Sequence, residues 1–307
     1  MLRRRSIIAA FMVAGLSLAV AYWAQPSFLY LQRRYSVEDE AEFSELIRIK
    51  GFALHKLRYS IGSNGTQVSY LIVNRAAKNS SNDCHIILLL GGNGMTAFDW
   101  GEWMGEIRLY LSSFPRIAFL LVDYPGYGAN DGRPSPESIN EAVTHSLDLA
   151  IGQLKTWGLS PIELNVVGHS IGSAVAAKFV ENYNSHNSLP VTRLVLSAPF
   201  TSIVDMVPVV FPIIPLGVAS IISRHNWDTR RSLTKIVKQN KADLIFVVHG
   251  NRDQIVPFRM GEELANLCES KIRLVPVKTA SHNNLLSLVR LYGLLLSETR
   301  VDLKNTD

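Results

Sequence analysis

Gly168-His169-Ser170-Ile171-Gly172 is the stretch of this sequence best equipped for covalent chemistry. A serine hydroxyl is a weak nucleophile until a neighbouring base takes its proton. The apolar run Leu164-Asn165-Val166-Val167 precedes the string, and the small-residue run Ser173-Ala174-Val175-Ala176-Ala177 follows it. That order predicts a strand, a sharp turn and a helix, the setting in which a G-x-S-x-G serine stands clear of the sheet edge. Side chains at either glycine of such a turn would collide with neighbouring backbone. The string alone is a weak signal, since glycine and serine are common, and the competing reading is a plain turn before a helix. The strand-to-helix context favours the nucleophile.

A serine nucleophile needs a base, and the base needs an acid to orient it. Val247-Val248-His249-Gly250-Asn251-Arg252-Asp253 puts Asp253 in the loop after an apolar run. Ala280-Ser281-His282-Asn283 puts His282 in the loop after the next one. The chain order Ser170, Asp253, His282 is the order of one known arrangement of this chemistry. Taken singly, Asp253 is a helix cap and His282 an exposed loop histidine; together with the serine turn they read as acid and base. His249 is a rival base that ends a strand and packs beneath the acid loop. Asp205 is a rival acid, ranked below Asp253.

Acyl transfer through a tetrahedral intermediate also needs an oxyanion hole. One amide is expected from Ile171, directly after the nucleophile. The other is expected from Gly91-Gly92-Asn93-Gly94, with Asn93 as the donor and Gly94 as its neighbour. The alternative of a phosphate cradle lacks both a Walker lysine and a G-x-G-x-x-G spacing. Asp123-Tyr124-Pro125-Gly126-Tyr127-Gly128 reads as a sharp structural turn that brings Tyr124 or Tyr127 near the site.

These loops need strands to carry them. Phe52–Leu57 and Gln67–Val73 flank Gly62-Ser63-Asn64-Gly65 and read as a hairpin. Strands are then predicted at His85–Leu90, Ile117–Asp123, Leu164–Gly168, Arg193–Ala198, Leu244–Gly250 and Lys271–Pro276. Helices are predicted at Trp100–Leu111, Pro136–Trp157, Ile171–Asn182, Phe258–Leu267 and Leu285–Leu296. A hairpin followed by βα units implies an α/β fold, a mostly parallel sheet with helices on both faces. The segment at about 200–240 is longer than one crossover helix needs and holds the apolar run Ile203–Ile222, interrupted by Pro208, Pro212 and Pro215. The prolines argue against a membrane span there. An ordinary crossover and an apolar cap beside the site fit equally well.

The amino terminus reads differently. Arg3, Arg4 and Arg5 precede the uncharged run Ile7–Ala24, which at a helical rise spans about 27 Å, enough for a bilayer core. Tyr22, Trp23 and Tyr30 fall where interfacial aromatics belong, before Arg33-Arg34. Residues 1–36 are therefore expected to be a transmembrane signal-anchor with its flanks, 37–49 an acidic connector and 50–307 the catalytic domain. The arginine triplet favours a single pass with that domain on the non-cytoplasmic side; cleavage near Ala19-Val20-Ala21, giving a secreted or periplasmic protein, is the alternative. Those five arginines equal the whole net charge of +5, so the remaining chain is formally neutral. Neutrality over the folded part excludes a nucleic-acid partner, which needs a basic face. With 47% hydrophobic and 19% charged residues the chain is not disordered. Cys84 and Cys268 form no CxxC or Cys/His cluster, so neither a metal nor another cofactor is expected, and two independent thiols are favoured over a disulfide.

The set GHSIG, DYPGYGANDG, HGNRDQIVP and ASHNN resembles the α/β-hydrolase superfamily, most nearly its membrane-anchored ABHD and Bem46-like, serine-aminopeptidase-like members. The resemblance covers roughly residues 50–297 and implies an α/β-hydrolase fold with an eight-stranded, mostly parallel sheet and a short cap insertion. It implies Ser170 as nucleophile, His282 as base and Asp253 as acid. Two positions depart from the pattern: Gly91 where many relatives have His, and Asn130 where a Ser is frequent. Members hydrolyse lysophospholipids, acylglycerols, acyl thioesters or peptides, so the family does not fix a substrate. The reading is a membrane-anchored serine hydrolase of carboxylic esters or thioesters with small-molecule or lipid-like acyl groups. A serine aminopeptidase or amidase, and a silent scaffold used for binding, are the alternatives; the scaffold gains if Asp253 and His282 stand too far apart to hydrogen-bond.

Overall fold

The computed structural model describes residues 2–74, 82–107, 116–184, 189–288 and 291–296, with the side chains of the first helix described from residue 15. Its centre is a single eight-stranded sheet in the order β1-β2-β4-β3-β5-β6-β7-β8. The strands are β1 Phe52–Ile61, β2 Gly65–Asn74, β3 Asp83–Leu90, β4 Arg116–Val122, β5 Ser160–His169, β6 Val191–Ser197, β7 Leu244–Gly250 and β8 Ile272–Val277. β1 and β2 form the expected antiparallel hairpin, and β2 runs antiparallel to β4; from β4 to β8 every pairing is parallel. Parallel strands are covered on both faces and so read as continuous apolar runs rather than alternating ones. Ile86 to Leu90 of β3 and Ile117 to Leu121 of β4 are all fully buried.

Chain order steps from β3 outward to β4, then back past β3 to β5. The topological switch therefore lies between β3 and β5, and in open α/β sheets ligands bind outside the carboxyl ends of the strands there. The loops after both strands open onto that edge.

Helices α3 Trp100–Ile107, α4 Pro136–Thr156, α5 Ile171–Asn182, α8 Thr229–Lys238 and α9 Phe258–Ala265 accompany the strands. (Here α1 is Leu2–Leu29, α2 Val37–Ile49, α6 Ile203–Val210, α7 Leu216–Ile222, α10 Leu285–Leu288 and α11 Leu291–Leu296.) α4 starts where its sequence says it should: Ser135 caps the N–H of Ser138, and Pro136 occupies the first turn, where a missing N–H costs nothing. The helix predicted at Leu285–Leu296 is described as two short pieces, and the predicted end of α3 lies outside the described residues.

Three segments take a definite form. First, the acidic segment 37–49 forms the helix α2. Ser36 and Asp39 close a reciprocal capping box, three acids occupy its first turn, and Phe43 and Ile47 are buried. Second, the interval after β6 is a helical hairpin of α6 and α7, with Pro208 inside α6 and Pro215 capping α7.

Third, among the described residues no helix is long and apolar enough to cross a membrane. Residues 7–14 of the expected span lie outside the described side chains. The described end of α1 is tied to the α/β domain. Gln25 and the backbone of His225 exchange two hydrogen bonds (3.2 and 2.8 Å), Trp227 Nε1 donates to the Tyr30 hydroxyl at 3.0 Å, and Arg224 stacks over the Trp23 ring at 4.3 Å. Polar and aromatic residues after Val20 thus serve as contacts to α7 and the turn behind it. Cys84 and Cys268 are free thiols, and burial pushes the Cys84 thiol up to about 12.

Candidate active site

β5 ends at His169 and α5 begins at Ile171, so the whole strand-to-helix turn is Ser170. Its φ of 54° and ψ of −121° lie in a region that a residue with a side chain adopts only under constraint. The two glycines supply that constraint by allowing close packing. A Cβ on Gly168 would stand 2.1 Å from the carbonyl oxygen of Gly172. A Cβ on Gly172 would stand 2.2 Å from that of Leu90 and 2.5 Å from that of Gly91. Backbone from β3 and α5 thus touches at Gly172, which brings the Gly91-Gly92-Asn93-Gly94 loop directly beside Ser170.

The tertiary structure brings Ser170, Asp253 and His282 together across 112 residues of sequence. Ser170 Oγ is 3.0 Å from His282 Nε2, and His282 Nδ1 is 2.8 Å from Asp253 Oδ2. The other carboxylate oxygen of Asp253 accepts the N–H groups of Ile255 and Val256 at 2.9 and 2.8 Å. Burial pushes the Asp253 carboxyl up, but bonds from His249, His282 and Val256 and the nearby His282 charge outweigh it, leaving Asp253 well below the usual carboxylate range. A permanent carboxylate at Nδ1 fixes the proton there and leaves the Nε2 lone pair facing the serine hydroxyl.

The rivals have other occupations. His249 is wholly buried; its Nε2 sits 3.0 Å from the carbonyl of Val256 and 3.4 Å from Asp253 Oδ2, so it braces the acid loop from below. Asp205 accepts from the hydroxyls of Thr201 and Ser202, both at 2.7 Å, and from Arg230 at 3.0 Å. It holds Ser202, the N-cap of α6, and makes no hydrogen bond to His282. His169 lies against the site, its ring 5.1 Å from that of His282; burial, then the His282 charge, lowers it to about 3 and keeps it neutral.

The amides expected to receive an oxyanion are unengaged. Neither Asn93 N–H nor Ile171 N–H has an acceptor among the described residues. Tyr124 and Tyr127 reach this loop as the turn after β4 predicts. The Tyr124 hydroxyl donates to the carbonyl of Gly91 at 2.8 Å, and that of Tyr127 to Asn93 Oδ1 at 3.3 Å.

Asn130, which departs from the pattern without an evident role in the sequence, is fully buried. Its Oδ1 accepts the Val68 N–H at 2.6 Å and its Nδ2 donates to the Asp123 carbonyl at 2.7 Å, sewing the turn after β4 to β2. Asp123 is a residue that sequence reasoning passed over. Its only sequence signal is a carboxylate directly after an apolar strand. Burial raises its carboxyl to about 7, opposed by the Ala97 N–H at 2.7 Å and the Tyr35 hydroxyl at 3.0 Å. Among the described residues no group of three His, Cys, Asp or Glu side chains is placed to hold a metal ion.

Comparison with known proteins agrees with this fold. The profile described as "Alpha/beta hydrolase family" matches residues 87–250, which run from β3 to the end of β7. The human protein "Alpha/beta hydrolase domain-containing protein 17B" is 25% identical over 239 residues, 78% of this chain and 71% of that one. "Protein bem46" of Schizosaccharomyces pombe is 31% identical over 189 residues, 61% of this chain and 59% of that one. An uncharacterized protein of Mycobacterium tuberculosis is 30% identical over 168 residues, so this chain spans about half the length of that relative (54%). Among solved structures, an alpha-beta hydrolase from Vibrio vulnificus superposes with a TM-score of 0.61 at 18% identity, covering 86% of each chain. The Pyrococcus furiosus esterase Pf2001 gives 0.52 at 14% identity, over 81% of this chain and 88% of that one. Likeness at such low identity speaks to the fold alone, whereas the profile match covers more than half the sequence. The chain belongs to the alpha/beta hydrolase family.

Proposed function

We propose that this protein is a serine hydrolase of carboxylic esters or thioesters, held at a membrane and acting on lipid-like acyl groups. The observation that carries the reading is the continuous relay from Asp253 through His282 to Ser170, at 2.8 and 3.0 Å, ending on a serine at φ 54°. In the proposed reaction Ser170 Oγ attacks the acyl carbonyl while its proton moves to His282 Nε2. Asp253 stabilises the imidazolium that results. The amides of Ile171 and Asn93 receive the negative charge on the former carbonyl oxygen. His282 then protonates the departing alcohol or thiol, and a water activated by the same Nε2 releases the acid. The 2.8 Å approach of Asp253 to His282 supports an enzyme over a silent scaffold.

Membrane attachment draws support from surface chemistry. Val210, Phe211, Ile213, Leu216 and Ile221 on the α6–α7 hairpin are half or more exposed, Ile213 by 93%. Leu16, Val20, Trp23 and Phe28 on α1, which packs beside α7, are similarly open. An exposed apolar patch of this kind is where a protein meets a membrane or an apolar ligand. With Arg3, Arg4 and Arg5 retained on the cytoplasmic side, the catalytic domain would face the other side.

The test is activity of the full chain in phospholipid vesicles against an ester series from acetyl to palmitoyl, with fluorophosphonate labelling in parallel. Hydrolysis rising with chain length, and labelling abolished by Ser170→Ala, are expected. A folded protein whose Ser170 never labels sinks the hydrolase reading, and a preference for acetyl esters sinks the lipid-like one.

A further inference from the structure

Residues 30–35 leave α1 as a strap with neither helix nor strand, and the strap crosses the two loops that border Ser170. The Leu31 N–H donates to Asn93 Oδ1 at 2.7 Å. Arg33 Nη2 donates to Thr96 Oγ1 at 3.0 Å and to Asp99 Oδ2 at 2.5 Å, while its carbonyl accepts the Gly128 N–H at 2.8 Å. The Tyr35 ring stacks on Phe98 with centroids 4.1 Å apart, and its hydroxyl bonds Asp123 Oδ2 at 3.0 Å. Asp123 Oδ1 in turn accepts the Ala97 N–H at 2.7 Å. From Asn93 to Asp99 the loop after β3 is thus gripped from outside at residue after residue.

Its internal bonds join Gly92 to Met95 and Thr96 to Asp99 and bypass the Asn93 side chain. Met95 N–H reaches the Gly92 carbonyl at 3.1 Å, and Thr96 and Asp99 cap one short turn. Among the described residues the Asn93 side chain has no bond within the loop, and its Oδ1 accepts from Leu31 and Tyr127. An amide that stabilises an oxyanion must be fixed to within about 0.5 Å of its working position, and the groups that fix it matter as much as the amide.

We propose that the strap Leu31–Tyr35 sets the oxyanion loop, with Leu31, Arg33 and the Asn93 side chain as positioning residues. Asn93 then has two jobs. Its backbone N–H is free for the oxyanion, and its side chain anchors that N–H to the segment following α1. The support of the site therefore extends to residues before the catalytic domain proper, and a displacement of α1 is transmitted to the rate. The inference rests on the serine-hydrolase reading.

The experiment compares full-length wild type with Asn93→Ala, Arg33→Ala and the double variant, in ester hydrolysis and in binding of an aryl trifluoromethyl ketone, which forms an anionic adduct on a serine. Each single variant is expected to lose about tenfold or more in kcat, a fraction of the loss from deleting an oxyanion donor outright. KM should stay within twofold, ketone affinity should fall in parallel with kcat/KM, and the thermal midpoint should hardly move. The double variant should lose less than the product of the singles, because both act through one loop, and Arg33→Lys should restore part of the rate. Unchanged kcat in both singles, or a change confined to KM, overturns the proposal. If Asn93→Ala does not fold, Arg33→Ala decides, since that side chain is half exposed (52%) and tolerates truncation. A wild-type chain that neither hydrolyses esters nor labels with fluorophosphonate overturns the serine-hydrolase reading itself, and this inference with it; an active wild type whose single variants keep its kcat overturns only the strap.

Discussion

Replacing Asp253 by Asn isolates the orienting carboxylate with little change of shape. The amide oxygen can keep the Ile255 and Val256 N–H groups that Oδ1 now accepts at 2.9 and 2.8 Å. The NH₂ then faces His282 Nδ1 where Oδ2 stands at 2.8 Å. A donor at that place requires Nδ1 to be the acceptor, which moves the ring proton to Nε2 and leaves Ser170 without a base. The imidazolium formed during attack also loses a full charge partner at about 4 Å, worth about 4 kcal/mol at an effective dielectric constant of 20. At 1.36 kcal/mol per decade that alone is about three decades, and the wrong tautomer takes the expected loss in kcat to about 10⁴, the magnitude known for the same exchange in a serine protease triad. The assay is steady-state hydrolysis of a p-nitrophenyl ester between pH 6 and 10, beside the rate of fluorophosphonate labelling. KM should change little, because nothing touching the ground-state acyl group is removed. Retention of more than a tenth of the wild-type kcat, with a folded protein, would refute the reasoning and turn attention to Asp205 as the acid.

Asp205→Asn is the matching control. It should leave kcat within about twofold and lower stability by about 1 kcal/mol through weakened bonds at the start of α6, read by urea unfolding; a hundredfold loss of kcat would contradict the assignment. Gly172→Ala should destabilise by at least about 3 kcal/mol, since its Cβ would stand 2.2 Å from a backbone oxygen that cannot swing away; an unchanged thermal midpoint would refute that account. Asp123→Asn gives a pH signature. With its folded value at about 7 against an ordinary 3.8, Asp123 costs nothing below about pH 4, costs progressively more as pH rises to 7, and carries its full penalty above that. The stability of the variant relative to wild type should therefore rise by on the order of 2 kcal/mol between pH 5 and pH 8 in urea titrations. A difference that does not vary with pH would show that Asp123 is not held as the acid.

The strands and most helices were legible because their signals are local. β3 and β4 read as apolar runs because both their faces are covered, and α4 announces itself through Ser135 and Pro136. The nucleophile turn was legible for the same reason, since the demand for glycine at 168 and 172 arises within five residues of Ser170. The helix in segment 37–49 was not legible because its acids read as a solvated stretch; in α2 Glu38, Asp39 and Glu40 sit in the first turn while Phe43 and Ile47 are buried. The run at 7–24 was read by composition, and composition does not reveal that Tyr22, Trp23, Gln25 and Tyr30 serve as contacts to Arg224, His225 and Trp227.

Sequence alone determined the class of fold, the order of the three site residues along the chain and the loops that hold them. Those properties follow from periodicity and turn chemistry, which act over a few residues at a time. Only the tertiary structure decided that Asp253 and not Asp205 reaches His282, that His249 braces the acid loop, and that Asp123 is buried. It alone placed the strap from Leu31 to Tyr35 across the loop after β3. Each of these is a distance between residues far apart in the chain, and such distances are set by how the sheet brings the ends of β3, β5, β7 and β8 to a common edge.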